Sequence, residues 1–243
     1  MPATLVLLHG FAGTGRAWDG VVDALGSQRY RSLAPDLRGH GSASAARPVT
    51  FEACVRDVLE LTPGRFDLVG YSLGGRLALH VALAAPERVR CLTLISTTAG
   101  IEDPAARVGR RADDARLADE IERGSIEDFA ARWLRGALFR DDGPEATRRA
   151  RDDILRNEPA GLAAALRGIG TGEMEPLWHR LGALGGLDGT VVTGERDAKF
   201  TALGQRLAGA IAGARHLVVA GAGHALPRLT PGELAEVVGR AGG

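Results

Sequence analysis

Gly70-Tyr71-Ser72-Leu73-Gly74-Gly75 follows the short apolar run Phe66 to Val69 and precedes the helix-forming stretch Arg76 to Ala85, which puts Ser72 at a strand-to-helix turn. Glycines around a serine allow a sharp bend without Cβ clashes, so the hydroxyl projects from the sheet edge and nearby backbone N–H groups aim at it. A serine hydroxyl is almost fully protonated at neutral pH and needs a base. His224, in Gly221-Ala222-Gly223-His224 after the run His216 to Val219, can take that proton. Asp197, after the run Thr190 to Thr193, can fix the imidazole tautomer and stabilise its charged form. Glu195, two residues earlier, competes for the acid's place. His9-Gly10-Phe11 closes the run Thr4 to Leu8, and the N–H groups of Phe11 and Leu73 are the candidate donors to a developing oxyanion.

Arg76 stands four residues after Ser72 on the first turns of the following helix and so faces the same side. A cation there suits an anionic substrate; the alternative is an ordinary solvated arginine. Composition favours caution, because Lys199 is the only lysine among thirty basic residues and arginine must supply the general surface charge as well. Arg107, Arg110 and Arg111 precede a helix and Arg156 sits beside Asn157; most of these read as surface charge, with one or two pointing inward. His9 and His40 lie in glycine-flanked turns and read as structural, while His80, His179 and His216 have no metal-ligand spacing. No metal site follows. The turn Asp36 to Ser42 lacks both the P-loop lysine and the dinucleotide glycine spacing, and reads as a structural loop at the pocket rim.

These residues must be held by the elements between them. Strand patterns at Thr4 to Leu8, Tyr30 to Ala34, Phe66 to Val69, Val89 to Ile95, Thr190 to Thr193 and His216 to Val219 alternate with helical stretches near Trp18 to Ser27, Phe51 to Thr62, Arg76 to Ala85 and Thr201 to Ile211, with a last helix opened by Thr230-Pro231. That alternation implies an α/β fold with a parallel sheet, and continuous apolar runs imply strands buried on both faces. Each candidate catalytic residue falls just past the C-terminal end of a strand, where open parallel sheets place their sites. From about Ile101 to Leu181 only helical spacing appears, punctuated into about four helices by Pro144, Pro159 and Gly168-Ile169-Gly170. The expected organisation is a core of residues 1–100 and 182–243 with a helical cap, 101–181, that roofs the site and excludes water.

A chain of 243 residues, 45% hydrophobic, can bury one large core. Zero formal charge, 5% aromatic residues and no run of like charge argue against nucleic acid or an acidic membrane surface as partner, leaving small molecules. Cys54 and Cys91 are isolated and read as buried thiols rather than a disulfide or metal pair. With no basic leader and no apolar stretch near 18 residues, neither export nor membrane insertion is expected, and a cytoplasmic location fits. The oligomeric state is left open.

Taken together, His9-Gly10-Phe11, Trp18, Asp36 to His40, Leu68 to Arg76, the segment Ile126 to Phe139, Leu155-Arg156-Asn157 and Gly194-Glu195-Arg196-Asp197-Ala198-Lys199-Phe200 resemble one family over nearly the whole chain. It is the 2-succinyl-6-hydroxy-2,4-cyclohexadiene-1-carboxylate synthases of menaquinone (vitamin K2) biosynthesis, within the α/β-hydrolase superfamily. The resemblance implies an α/β-hydrolase fold, here starting at what would be the third strand, so that a truncated, all-parallel sheet of about six strands is expected. It implies a lyase that eliminates pyruvate from a small-molecule polycarboxylate with Ser72, Asp197 and His224 as a general-base triad, and it requires no cofactor. Arg76, Arg110 and Arg156 match the family's carboxylate-binding positions, and Tyr71 and Trp133 its pocket positions. The chain departs from the family in Ala225-Leu226-Pro227-Arg228-Leu229-Thr230-Pro231, which lacks the acidic residue often found before the last proline. A serine hydrolase acting on an ester, thioester or carbon–carbon bond is the alternative, and a non-catalytic ligand receptor a third.

Overall fold

The computed structural model describes residues 2–26, 28–140 and 142–240. Strands β1 (Ala3–Leu8), β2 (Tyr30–Leu33), β3 (Phe66–Tyr71), β4 (Val89–Ile95), β5 (Asp188–Gly194) and β6 (Arg215–Val219) form one sheet in the order β2-β1-β3-β4-β5-β6, every neighbouring pair parallel. Parallel neighbours need crossovers, supplied by α1 (Asp19–Leu25), α2 (Phe51–Glu60) and α3 (Leu73–Ala84) in the first half of the chain. Helices α4 (Pro104–Arg123), α5 (Ile126–Trp133), α6 (Pro144–Ile154) and α7 (Pro159–Ile169) are inserted between β4 and β5. Helices α8 (Ala198–Ala210), α9 (Leu226–Leu229) and α10 (Pro231–Arg240) complete the chain.

The continuous apolar strands are explained by helices on both faces. In β1, Val6 and Leu8 join Val58 of α2, Leu77 of α3 and Leu207 of α8 in one cluster. Their neighbours Leu5 and Leu7 join Val21 of α1 with Leu234 and Val238 of α10 in another. A side-chain period of two thus feeds two cores from one strand, and no polar alternation is left to see. A third cluster belongs to the insertion: Ala118 and Ile121 of α4, Phe129 of α5, Ile154 of α6 and Leu162 and Leu166 of α7 pack together with Ala12 from the loop after β1. This contact sets the helical cap insertion over the sheet's C-terminal edge.

Several boundaries differ from the sequence expectation, and packing explains the most consequential one. Strand β3 runs to Tyr71 and α3 begins at Leu73, not Arg76, so Ser72 alone makes the turn. Gly74 and Gly75 are poor helix formers, but a Cβ on Gly74 would lie 2.1 Å from the Leu8 carbonyl oxygen and one on Gly75 2.6 Å from the Thr97 Cβ. Glycine lets α3 start hard against β1 and the loop after β4, and that burial outweighs propensity. Helix α8 starts at Ala198 because Asp197 caps it, accepting from the Phe200 N–H. Near Trp18 the chain first makes a 3-10 turn, Gly15–Trp18, before α1, and Ser27, where that helix was expected to end, lies outside the described residues.

Candidate active site

Strand order reverses between β1 and β3, and the loops leaving these two adjacent strands carry Phe11 and Ser72. Ser72 has φ 52° and ψ −108°, a left-handed conformation that strains a residue with a Cβ. Surrounding hydrogen bonds hold it there: the Ser72 N–H donates to the Ile95 carbonyl at 2.9 Å, and its own carbonyl accepts from Thr97 Oγ1 at 2.7 Å and the Arg76 N–H at 3.2 Å.

The structure brings Ser72, His224 and Asp197 together from three strand ends. His224 Nε2 lies 3.3 Å from Ser72 Oγ, and Nδ1 lies 2.6 Å from Asp197 Oδ2. Nδ1 carries the proton shared with the carboxylate, so Nε2 presents its lone pair to the hydroxyl. His224 is buried, with Phe200 at 4.5 Å and Tyr71 at 5.4 Å between ring centroids. Glu195 takes no part in this contact; it is exposed and accepts from the Gly221 N–H at 2.7 Å.

Phe11 and Leu73 flank Ser72 in the cavity wall, and neither backbone N–H donates to another group among the described residues. The loop carrying Phe11 is fixed from below and above. Below, the buried His9 accepts the Leu37 N–H at Nε2 (3.0 Å) and faces the Gly10 carbonyl with Nδ1 (2.8 Å); burial holds its pKa below the ordinary histidine range. Above, Asn157 Nδ2 donates to the Ala12 carbonyl at 3.1 Å, and Asp153 accepts from the N–H and Oγ1 of Thr14 and from Arg228. The Phe11 ring meets Trp133 edge-on at 5.4 Å, and Trp133 stacks on Phe129 at 5.6 Å, which ties the loop to α5.

Ser72 opens onto a cavity of about 390 Å³ that Arg76, Arg110, Trp133, Lys199 and Phe200 also line. A smaller recess of about 40 Å³ beside it takes in Tyr71, His224, Phe139 and Arg228. Arg76 is buried, donates to the Ile169 carbonyl at 3.0 Å and makes no ion pair among the described residues; burial, then the neighbouring Arg110, push its pKa well below the usual arginine range. Arg110 is half-exposed and donates from Nε to Asp114 at 2.8 Å. Arg107 and Arg111 pair instead with Glu175 and Glu173. Arg156 is not brought to this cavity: it is exposed and lines a separate one of about 320 Å³ with Arg149 and Asp152. In the turn after α6 its neighbour Asn157 faces inward while Arg156 turns out, an orientation that spacing alone does not reveal. The Asp36 to Ser42 turn, expected at the pocket rim, is absent from the lining as well; Asp36 instead accepts from Gly15 and Ser42. Sequence reasoning passed over Lys199 and Phe200 as wall residues, although their position just after Asp197 was a usable signal.

Among the described residues no three His, Cys, Asp or Glu side chains are grouped as a metal site requires. The buried Cys54 and Cys91 lie on α2 and β4, remote in the chain from the triad, and burial pushes both thiols up to about 12.

A parallel sheet of this order, a strained serine at the β3 turn and helices inserted after β4 define a class. The chain belongs to it: residues 5–237 match the alpha/beta hydrolase family. The 2-succinyl-6-hydroxy-2,4-cyclohexadiene-1-carboxylate synthase of Salmonella paratyphi B is 35% identical over 94% of this chain and 89% of that protein, and this chain belongs to the same family of synthases. The solved structure of MenH from S. aureus matches with TM-score 0.91 at 28% identity, covering 97% of this chain and 91% of that one. A thermophilic esterase from Thermogutta terrifontis, solved with malate bound, matches with TM-score 0.86 at 27% identity over 99% of this chain and 89% of its own.

Proposed function

We propose that this chain eliminates pyruvate from 2-succinyl-5-enolpyruvyl-6-hydroxy-3-cyclohexene-1-carboxylate to give 2-succinyl-6-hydroxy-2,4-cyclohexadiene-1-carboxylate, a step of menaquinone biosynthesis. One observation carries the reading: Arg76, buried beside Ser72 and without an ion pair among the described residues, is a cation awaiting an anionic ligand. Ser72, giving its proton to His224 as Asp197 steadies the imidazolium, removes the ring proton made acidic by the conjugated succinyl carbonyl. Negative charge passes to that oxygen, stabilised by the N–H groups of Phe11 and Leu73. Its return breaks the ring carbon–oxygen bond; the enolate of pyruvate departs and takes up a proton, leaving the diene. Tyr71 and Trp133 shape the walls against the ring. Residues 101–181 act as the cap over the core of 1–100 and 182–243, and the cytoplasm, where a soluble polycarboxylate would be met, is the working compartment. Among the described residues no helix is long and apolar enough to cross a membrane.

The test follows pyruvate and diene absorbance together on adding the enolpyruvyl substrate. Both should rise in step, and Ser72→Ala should lower kcat about a thousandfold or more. A serine hydrolase is the second reading, favoured by the esterase likeness and by a hydroxyl already within reach of His224. A rapid acyl-enzyme burst on simple esters with no pyruvate release would select it.

A further inference from the structure

We propose that Lys199 is a carboxylate-binding residue of this site, its ammonium gripping one carboxylate of the substrate beside Arg76 and Arg110. The assignment deepens the polycarboxylate reading above and rests on it. The cavity wall carries three cations from three separate elements, Arg76 on α3, Arg110 on α4 and Lys199 on α8. Arg110 is paired with Asp114, whereas neither Arg76 nor Lys199 makes an ion pair among the described residues. A ligand with three carboxylates therefore meets two uncompensated charges and one partly compensated.

The place of Lys199 in its helix is the second observation. It is the second residue of α8, where the helix dipole already presents positive charge; the first turn itself holds no acidic residue, and the capping Asp197 is engaged with the Phe200 N–H and with His224. Cations are stabilising at helix C-termini, so this position works against α8 itself. It makes sense if the ammonium acts on an anion in the cavity. Composition is the third: in a chain that otherwise uses arginine alone, the single lysine stands two residues after Asp197. An ammonium on a flexible stem is a point charge that can follow a carboxylate, where a guanidinium fork demands a fixed plane. Lys199 is exposed at the cavity mouth, with its ammonium 5.6 Å from the Phe200 ring centroid. The base of its stem is fixed, because Asp197 caps the helix and Phe200 packs on His224.

Two substitutions and one label test this. Lys199→Met should raise KM for the enolpyruvyl substrate by about ten- to a hundredfold, the size expected for a hydrogen bond between charged groups, with kcat within about threefold. Lys199→Arg, which keeps the charge but not the compact ammonium, should recover part of that loss, which a merely structural role would not predict. Because the lysine is unique, reductive methylation with carbon-13 formaldehyde gives one side-chain dimethylamine resonance, distinct from the α-amine signal. Propane-1,2,3-tricarboxylate should shift the lysine resonance to saturation and leave the α-amine still. An unchanged KM in Lys199→Met, or a lysine resonance that stays put while tryptophan fluorescence reports saturation, overturns the assignment. If the unmodified enzyme releases no pyruvate, the lyase reading fails by itself, and the tricarboxylate titration still decides whether Lys199 binds carboxylates.

Discussion

At the scale of single residues, the site spends stability on readiness to bind. A buried guanidinium without a carboxylate is costly, since little in the protein replaces the water it lost. Arg76→Met keeps much of the side-chain volume and removes the charge. It should therefore stabilise the unliganded protein, by about 1–2 kcal/mol in urea unfolding, while raising KM for the enolpyruvyl substrate at least tenfold. Loss of stability in that variant would mean that the hydrogen bond to the Ile169 carbonyl outweighs the desolvation of the cation. Ser72 carries a second local cost in its left-handed backbone, offset by the Ile95 and Thr97 contacts.

At the scale of elements, the triad was legible because each member follows its own strand, and a strand end is visible as an apolar run closed by glycine or an acid. Sidedness within the inserted helices was not legible. Arg110 and Arg156 look alike in the chain, yet one lines the cavity with Ser72 and the other a separate cavity. Arg110 lies in α4 and Arg156 in the turn after α6, and tertiary contacts that local periodicity does not encode fix how each faces. Asp152 and Asp153 on α6 make the same point. Asp152 is exposed and only 3.7 Å from Arg148, whereas Asp153 is buried and joins α6 to Thr14 in the loop after β1 and to Arg228 on α9. Asp153→Asn should cost about 2–3 kcal/mol because Arg228 loses its counter-charge. It should lower kcat as well, since the loop that presents the Phe11 N–H loses an anchor. Asp152→Asn should change stability by no more than about 0.5 kcal/mol. Urea unfolding and the pyruvate assay, run on both variants, separate the two residues; equal losses would refute the role given to Asp153.

For the whole molecule, three histidines built into the packing make stability depend on pH. His9 and His40 are buried beneath the loop after β1, their ring centroids 5.0 Å apart, and His80 stacks on Phe51 at 4.3 Å. Burial lowers all three: His40, with the neighbouring His9 adding repulsion, to about 3, His80 to about 4, and His9 in the same direction. The folded chain therefore holds these rings neutral, while the unfolded chain protonates them near the ordinary value of 6.5. Below that value the unfolded state binds more protons, so stability is complete above about pH 6.5 and falls as the pH drops toward 4. Each excess proton contributes a slope of about 1.4 kcal/mol per pH unit. Urea unfolding free energies at pH 7, 6, 5 and 4.5 should decline progressively more steeply. His80→Leu, which removes a ring whose buried Nε2 has no hydrogen-bond partner among the described residues, should flatten the acid limb by about one proton. The positions of His9 and His40 give this loss a functional consequence, because the loop they support carries Phe11 and contacts α6. An acid-induced opening should begin there and abolish pyruvate release before the sheet unfolds. Circular dichroism and turnover measured on the same samples test that order, and coincident loss of both across the pH series would show that the loop and the sheet give way as one unit.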